Sequence, residues 1–294
     1  MGKKLNIKPI TLILLLLPSL AGMLLFNLIP MGYSIYISLT DWDGVARQPR
    51  FVGVQNFLGA IGEDLSRNAF LTTFRFILIY LPVILIFSLL LAMMIHSAGK
   101  GQKVYRAMVF IPVIMSWITV SFIWKWIYDP YGLLNYILSV FGLPGHQWLG
   151  DEKTALLSIV IATVWKDVGY IAIILLAGLD NVPDSYQEAA SIDGANTIQR
   201  FTKITLPLLS PTLFFVAVIS LINNFQVFDQ IYVMTAGGPL NSTRTVVVEI
   251  FENAFRFHRM GFASAQALTL FAVILIVTAI QNWLQKRWVV YDNE

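Results

Sequence analysis

The chain has 294 residues, 57% of them hydrophobic and 13% charged, with a formal net charge of +3. Globular domains carry about 25% charged residues, so the composition belongs to the membrane class, and a charge this small gives no argument for nucleic acid. There is no Cys, which excludes disulfides, thiolate metal sites and thiol catalysis; His96, His146 and His258 lie far apart without HExxH-type spacing, so no metal site is expected.

A membrane helix takes about 20 apolar residues, and six stretches qualify. The first runs from Ile10 to about Leu39 without a charge. Lys3, Lys4 and Lys8 precede it as in a signal peptide, but the apolar run is too long and "PSLAGMLLFN" offers no clear small-x-small cleavage site, so an uncleaved span is expected. The second covers about Phe70 to Ile95, with Arg75 near its outer end, and the third about Ala107 to Ile127. Trp124, Trp126, Tyr128 and Tyr131 close the third span as an interfacial aromatic belt, Lys125 is expected to snorkel, and Trp117 reads as packing. The fourth is Thr154 to Leu179, interrupted by Lys166 and Asp167. The fifth is about Leu208 to Met234 and the sixth about Phe262 to Gln285.

Lys and Arg in the short flanks set the orientation. Lys3, Lys4, Lys8, Lys100, Lys103, Arg106, Arg200, Lys203, Lys286 and Arg287 fall on one side, ten against the seven of the longer opposite loops. That side is read as cytoplasmic, with both termini on it.

One polar stretch interrupts this pattern, "EAASIDGANTIQRFTKITLP" from Glu188 to Pro207 between spans four and five. Pro183 suits a first helical turn, and Ser185 with Glu188 has capping-box spacing. Tyr186, Ala189, Ala190 and Asp193 continue that helix, and Gly194 is placed to end it in a left-handed conformation. Asn196 or Thr197 can cap a second short helix through Lys203, and Pro207 opens span five. The small residues Ala189, Ala190, Gly194 and Ala195 admit another backbone, and Tyr186, Ile192, Phe201 and Ile204 are apolar groups that a partner could cover. The competing reading is a loop that lies on its own helix ends.

Two polar belts lie inside the spans. Ionisable groups there are costly and mark function by default. Lys166 and Asp167 sit about 18 Å from the outer surface, and as sequence neighbours they point about 100° apart, so each needs its own partner. Tyr170 is one turn below Lys166. In span five, Asn223, Asn224, Gln226, Asp229 and Gln230 form the second belt, about 15 Å deep at Asn224, with Asn223, Gln226 and Gln230 expected on one helix face. Amide, carboxylate and aromatic groups at one level suit a sugar; the alternative is interhelical hydrogen bonding.

The pattern Glu188-Ala189-Ala190, Gly194, Ile204, Leu206 and Pro207 resembles the EAA loop of binding-protein-dependent ABC importer permeases, and the chain looks like the sugar-import branch, the maltose and glycerol-phosphate type. "GVQNF" at Gly53–Phe57, "WKWIYDPYGLLN" at Trp124–Asn135, "TAGGPLNST" at Thr235–Thr243 and "GFASAQA" near span six add to the likeness. The resemblance implies an all-α membrane protein, one importer transmembrane domain over residues 1–294, whose coupling helix docks on an ATPase subunit. It implies a second permease, two ATPase subunits holding ATP and Mg, an extracytoplasmic solute-binding protein, and a sugar as cargo. It also supports Asp167, Tyr170 and Asn224 as solute contacts, although the Lys166–Asp167 pair departs from the maltose-type pattern. The chain is not expected to be an enzyme: "SAGKGQK" at Ser97–Lys103 lacks the first Gly and the Ser or Thr of a P-loop, and no cofactor is expected in it. The rival class is a self-sufficient secondary transporter or channel, which would show inverted-repeat halves with matching broken helices. An intramembrane enzyme lacks its constellation.

Overall fold

A computed structural model describes residues 9–47 and 49–289; Lys3, Lys4 and Lys8 lie outside them. Among the described residues the regular structure is helical, and extended pairing is confined to one bridge between Thr40 and Phe51. In chain order the α-helices are α1 (Pro9–Met23), α2 (Ile29–Ser38), α3 (Gln55–Gly62), α4 (Asp64–Ser97), α5 (Gln102–Ile114), α6 (Trp117–Ile127) and α7 (Leu133–Val140). They continue as α8 (Ala155–Asp180), α9 (Asp184–Ile192), α10 (Thr197–Arg200), α11 (Leu206–Phe225), α12 (Asp229–Met234), α13 (Val246–Phe251) and α14 (Met260–Gln285). Five helical runs are long and apolar enough to cross a bilayer: Leu15–Ser38, Asp64–Ser97, Ala155–Asp180, Thr197–Phe225 and Met260–Gln285. A sixth candidate is the pair α5 and α6. The residues form two compact units, one of residues 9–62 and 250–269, the other of 63–249 and 270–289.

In the first unit, a π-turn at Leu24–Leu28 joins α1 to α2. Pro30 has no N–H to give the carbonyl of Phe26, and the wide turn covers that position. The carbonyls at the end of α2 find a donor in Asn56, whose side-chain amide bonds Ser38 O and Thr40 O, each at 2.8 Å. A buried amide pair, Asn253 Nδ2 to Gln266 Oε1 at 3.1 Å, lies in the same unit.

In the second unit, α4 and α8 form the central pair. Thr73, Phe76, Tyr80, Ile84, Ser88, Ala92 and Ile95 make one buried stripe along α4 at three- and four-residue steps. On α8 the buried positions include Ala162, Thr163, Gly169, Ala172, Leu175 and Leu176. Ser88 Oγ donates across to the Val168 carbonyl at 3.3 Å. Gly169 is required by close approach, since a Cβ there would stand 1.9 Å from the Val109 carbonyl of α5.

Two expected spans need correction. The third is not one straight helix: α5 and α6 meet at 93°. Pro112 removes a donor from the last turn of α5, and Met115 and Ser116 are extended, with ψ of 142° and 146°. Ser116 then caps α6 by accepting from the Thr119 N–H. The fifth does not run unbroken to Met234. It ends at Phe225, and the chain leaves helical geometry at Phe228, with φ −137° and ψ −64°, before α12 begins. Asn223, Gln226 and Gln230 therefore do not share one helix face, because the helix stops between them. The aromatic belt also divides: Trp126 and Tyr131 are exposed, but Tyr128 is buried and donates its hydroxyl to the Ser158 carbonyl at 3.0 Å. Lys125 is exposed, and its Nζ lies 3.5 Å from the Val233 carbonyl.

Candidate functional site

Irregular backbone at membrane depth is tolerated where it lines a cavity, and the break between α11 and α12 does so. A recess of about 200 Å³ is lined by Trp117, Asp167, Asn223, Asn224 and Gln226 through Gln230. Five expected path residues, Asp167, Asn223, Asn224, Gln226 and Asp229, thus meet in one place. Asn224 is buried and donates to the Ser220 carbonyl of its own helix at 2.8 Å. Asp167 accepts the Tyr80 hydroxyl at 2.9 Å, which turns the carboxylate toward α4 and leaves its second oxygen for another donor. The carbonyl of Val227, freed by the break, takes a hydrogen bond from the Thr245 hydroxyl at 3.1 Å. Asp229 stands in the first turn of α12, where a negative charge suits the helix dipole.

Lys166 and Tyr170 do not line the recess. Lys166 is buried, its Nζ lies 3.2 Å from the Val113 carbonyl, and it stands 4.6 Å from the centroid of the Trp117 indole. Tyr170 is 42% exposed on α8, three residues from Asp167 and on the same side of the helix. Trp117, read from sequence as packing, is a wall of the recess; the signal that could have found it is the Pro112–Ser116 break just before it. Phe228 is a second wall residue, stacked with Tyr232 at 5.2 Å between ring centroids.

The second candidate site is the polar stretch between α8 and α11. Helix α9 ends in a Schellman motif: the Ala195 N–H bonds the Ala190 carbonyl at 2.9 Å and the Gly194 N–H bonds that of Ser191 at 3.2 Å. Gly194 sits at φ +80°. Asn196 and Gln199 then form a reciprocal capping box. The box expected at Ser185 and Glu188 is absent, because α9 starts from Pro183 and Ser185 lies inside it, where its hydroxyl has no free N–H to cap. Nor is the second helix a separate short one. It passes from α10 through a π-turn at Phe201–Thr205 straight into α11, a continuous run from Thr197 to Phe225.

Tyr186, Glu188, Ala189, Asp193 and Gly194 are exposed, as is Ile192 at 87%. Ala190, Ala195, Phe201, Ile204, Leu206 and Pro207 are half-buried. A cleft of about 490 Å³ is lined by Tyr186, Ala189, Ala190, Asp193, Lys203, Ile204, Pro207 and Leu208. Phe201 turns the other way, into a space it shares with Met93, His96 and Leu179. Nearby, Asp180 ties three helix ends together, with one oxygen 3.0 Å from His96 Nδ1 and the other 3.0 Å from an Arg106 nitrogen.

Residues 55–290 match the family described as binding-protein-dependent transport system inner membrane component. The chain is 35% identical over 282 residues to the probable ABC transporter permease protein YesP of Bacillus subtilis (strain 168), covering 94% of this chain and 91% of that one. It is 36% identical over 271 residues to the trehalose/maltose transport system permease protein MalF of Thermococcus litoralis, covering 91% and 90%. Its fold matches a chain of a bacterial ABC transporter involved in the import of the acidic polysaccharide alginate, with a TM-score of 0.82, 25% identity, and coverage of 94% and 95%. The chain therefore belongs to the binding-protein-dependent transport system inner membrane components, as a multi-pass ABC permease.

Proposed function

We propose that the chain is one permease subunit of an ATP-driven carbohydrate importer, forming half of the translocation path by alternating access. The polar recess at the broken fifth span carries this reading. Amides, two carboxylates and an indole converge there, the mixture that grips hydroxyls and covers the C–H face of a sugar ring. Tyr170 stands exposed beside Asp167, where a second, homologous permease would close the path. Two relatives are named for trehalose and maltose transport and for alginate import. The complement of partners follows from the type: a second permease, two ATPase subunits holding ATP and Mg, and an extracytoplasmic solute-binding protein. The whole chain acts as one importer domain, with both termini and the α9–α10 turn on the cytoplasmic face. That turn, exposed and apolar at Tyr186 and Ile192, docks on the ATPase.

The breaks in spans three and five also fit a self-sufficient secondary transporter, but that reading leaves the exposed turn without a partner. One experiment separates them. Purified alone in proteoliposomes, the chain should hydrolyse no ATP and perform no uphill uptake, and it should gain both when its ATPase, second permease and binding protein are added. Uphill uptake by the chain alone on a proton or sodium gradient would establish the secondary transporter.

Within the assembled importer, Asn224→Ala should weaken uptake by the value of one or two hydrogen bonds, about 0.5–1.5 kcal/mol each. Since Asn224 also bonds its own helix, the amount of assembled complex must be measured beside the uptake. Full uptake at full assembly would remove Asn224 from the path.

A further inference from the structure

We infer that Lys166 is a positioning residue: it fastens the break in the third span and so holds the Trp117 ring as a wall of the recess. The last carbonyls of α5 have no intrahelical donors. That of Pro112 takes the Met115 N–H at 3.3 Å, and that of Val113 takes Lys166 Nζ at 3.2 Å. A cation at a helix C-terminus is also favoured by the dipole. The same ammonium lies 4.6 Å from the centroid of Trp117, the first residue of α6. One side chain therefore grips both sides of the two-residue break at Met115 and Ser116.

The backbone of α8 supplies a second grip one turn away. Gly169 seats the Val109 carbonyl against α8, closer than any Cβ would allow. Lys166 and Gly169 are three apart on α8, and Val113 and Val109 are four apart on α5, so the two grips align along the antiparallel pair. Asp167, next in sequence, turns instead to Tyr80 and the recess. Among the described residues the recess is lined by the carboxylates of Asp167 and Asp229 and by no ammonium. Lys166 acts on the solute path only through the wall that it holds.

The clasp is a property of the fold; its effect on uptake rests on the proposed reading of the recess. The test uses the assembled importer with Val227→Cys as a reporter, since Val227 is buried in the recess lining and the chain has no native Cys. Labelling by a water-soluble maleimide is read on this subunit, and uptake is measured for a neutral and an acidic sugar. Lys166→Met should speed labelling by roughly tenfold, the worth of a desolvated cation over an indole, and lower the uptake of whichever sugars the importer carries by one common factor. Lys166→Arg keeps the charge and can stack on an indole, so it should restore both. Trp117→Leu should reproduce the faster labelling, and the double variant should add nothing to either single one.

Unchanged labelling in Lys166→Met overturns the clasp, as does a loss confined to the acidic sugar, which would make Lys166 a solute ligand. If Lys166→Met does not assemble, the other two variants decide. Faster labelling in Trp117→Leu with slow labelling in Lys166→Arg supports the clasp, and slow labelling in Trp117→Leu overturns it. Faster labelling with undiminished uptake keeps the clasp and overturns the recess as the solute site.

Discussion

Gly194→Val should remove most uptake while the subunit still inserts and the recess stays intact. Gly194 ends α9 at φ +80°, a region where a β-branched residue is strained by about 1–3 kcal/mol. A Cβ at this position meets nothing within 4 Å, so the strain comes from the backbone alone and not from a clash. That separation gives a control. Gly194→Asn adds a larger side chain but tolerates the left-handed region, and it should keep most of the activity. The strain in Val is released by unwinding the Ala195-to-Ala190 hydrogen bond, which swings Tyr186 and Ile192 out of register with the helix that follows. The measurement is uptake and ATPase stimulation in vesicles with equal amounts of inserted subunit. Equal activity in the Val and Asn variants would mean that the turn transmits nothing. Glu188→Lys, which reverses an exposed charge on the same helix, should act in the same direction without touching the turn.

This turn was legible because its causes are local. Gly194 after a helical run and Asn196 as a cap are read within a few positions of the bonds they make, although the capping box pairs Asn196 with Gln199 and not Ser185 with Glu188. The breaks in the spans divide on the same criterion. Pro112 and Ser116 announce the bend in the third span to a reader who looks for it, although an average of hydropathy passes over them. Between Asn223 and Met234 there is no Pro or Gly at all. The fifth span is cut there by contacts made from far along the chain, such as the Thr245 hydroxyl on the Val227 carbonyl, eighteen residues away.

Lys166 follows the same rule. The sequence shows that a buried charge needs a partner, but not that the partner is a carbonyl fifty-three residues earlier. The short motifs that carried the resemblance prove to hold hubs of local structure. Asn135 donates to the carbonyls of Asp129, Pro130 and His146 and accepts from Trp148 Nε1. Thr243 bonds Thr235 and Gly238 at 2.7 Å each, and Asn56 closes the first span. They tie loops down, and none of them lines the polar recess at the break in span five.

Arg244→Met should destabilise the chain more than any change in the recess. Arg244 and Glu249 are both buried, at 7% and 2% exposure, and Arg244 Nε donates to Glu249 Oε2. Removing the guanidinium leaves a buried carboxylate without that cation, a change that costs about 3–5 kcal/mol. The loop before it shares the cost. Ala236, Leu240 and Asn241, in the loop just before Arg244, hold left-handed backbone at φ of 51°, 47° and 62°. Such strained residues persist only while the surroundings over-determine them. With the arginine gone, the loop should loosen and α13, which begins at Val246 on the Thr73 hydroxyl at 3.0 Å, should lose its anchor to α4. Removing both charges tests the cause. Arg244→Met with Glu249→Leu removes the stranded carboxylate together with the cation and should recover part of the loss, whereas simple damage to packing would make the double variant worse than either single one. Thermal unfolding of the detergent-solubilised complex, read beside the fraction that stays monodisperse, distinguishes the two. A single variant as stable as the parent would show that Glu249 does not depend on Arg244.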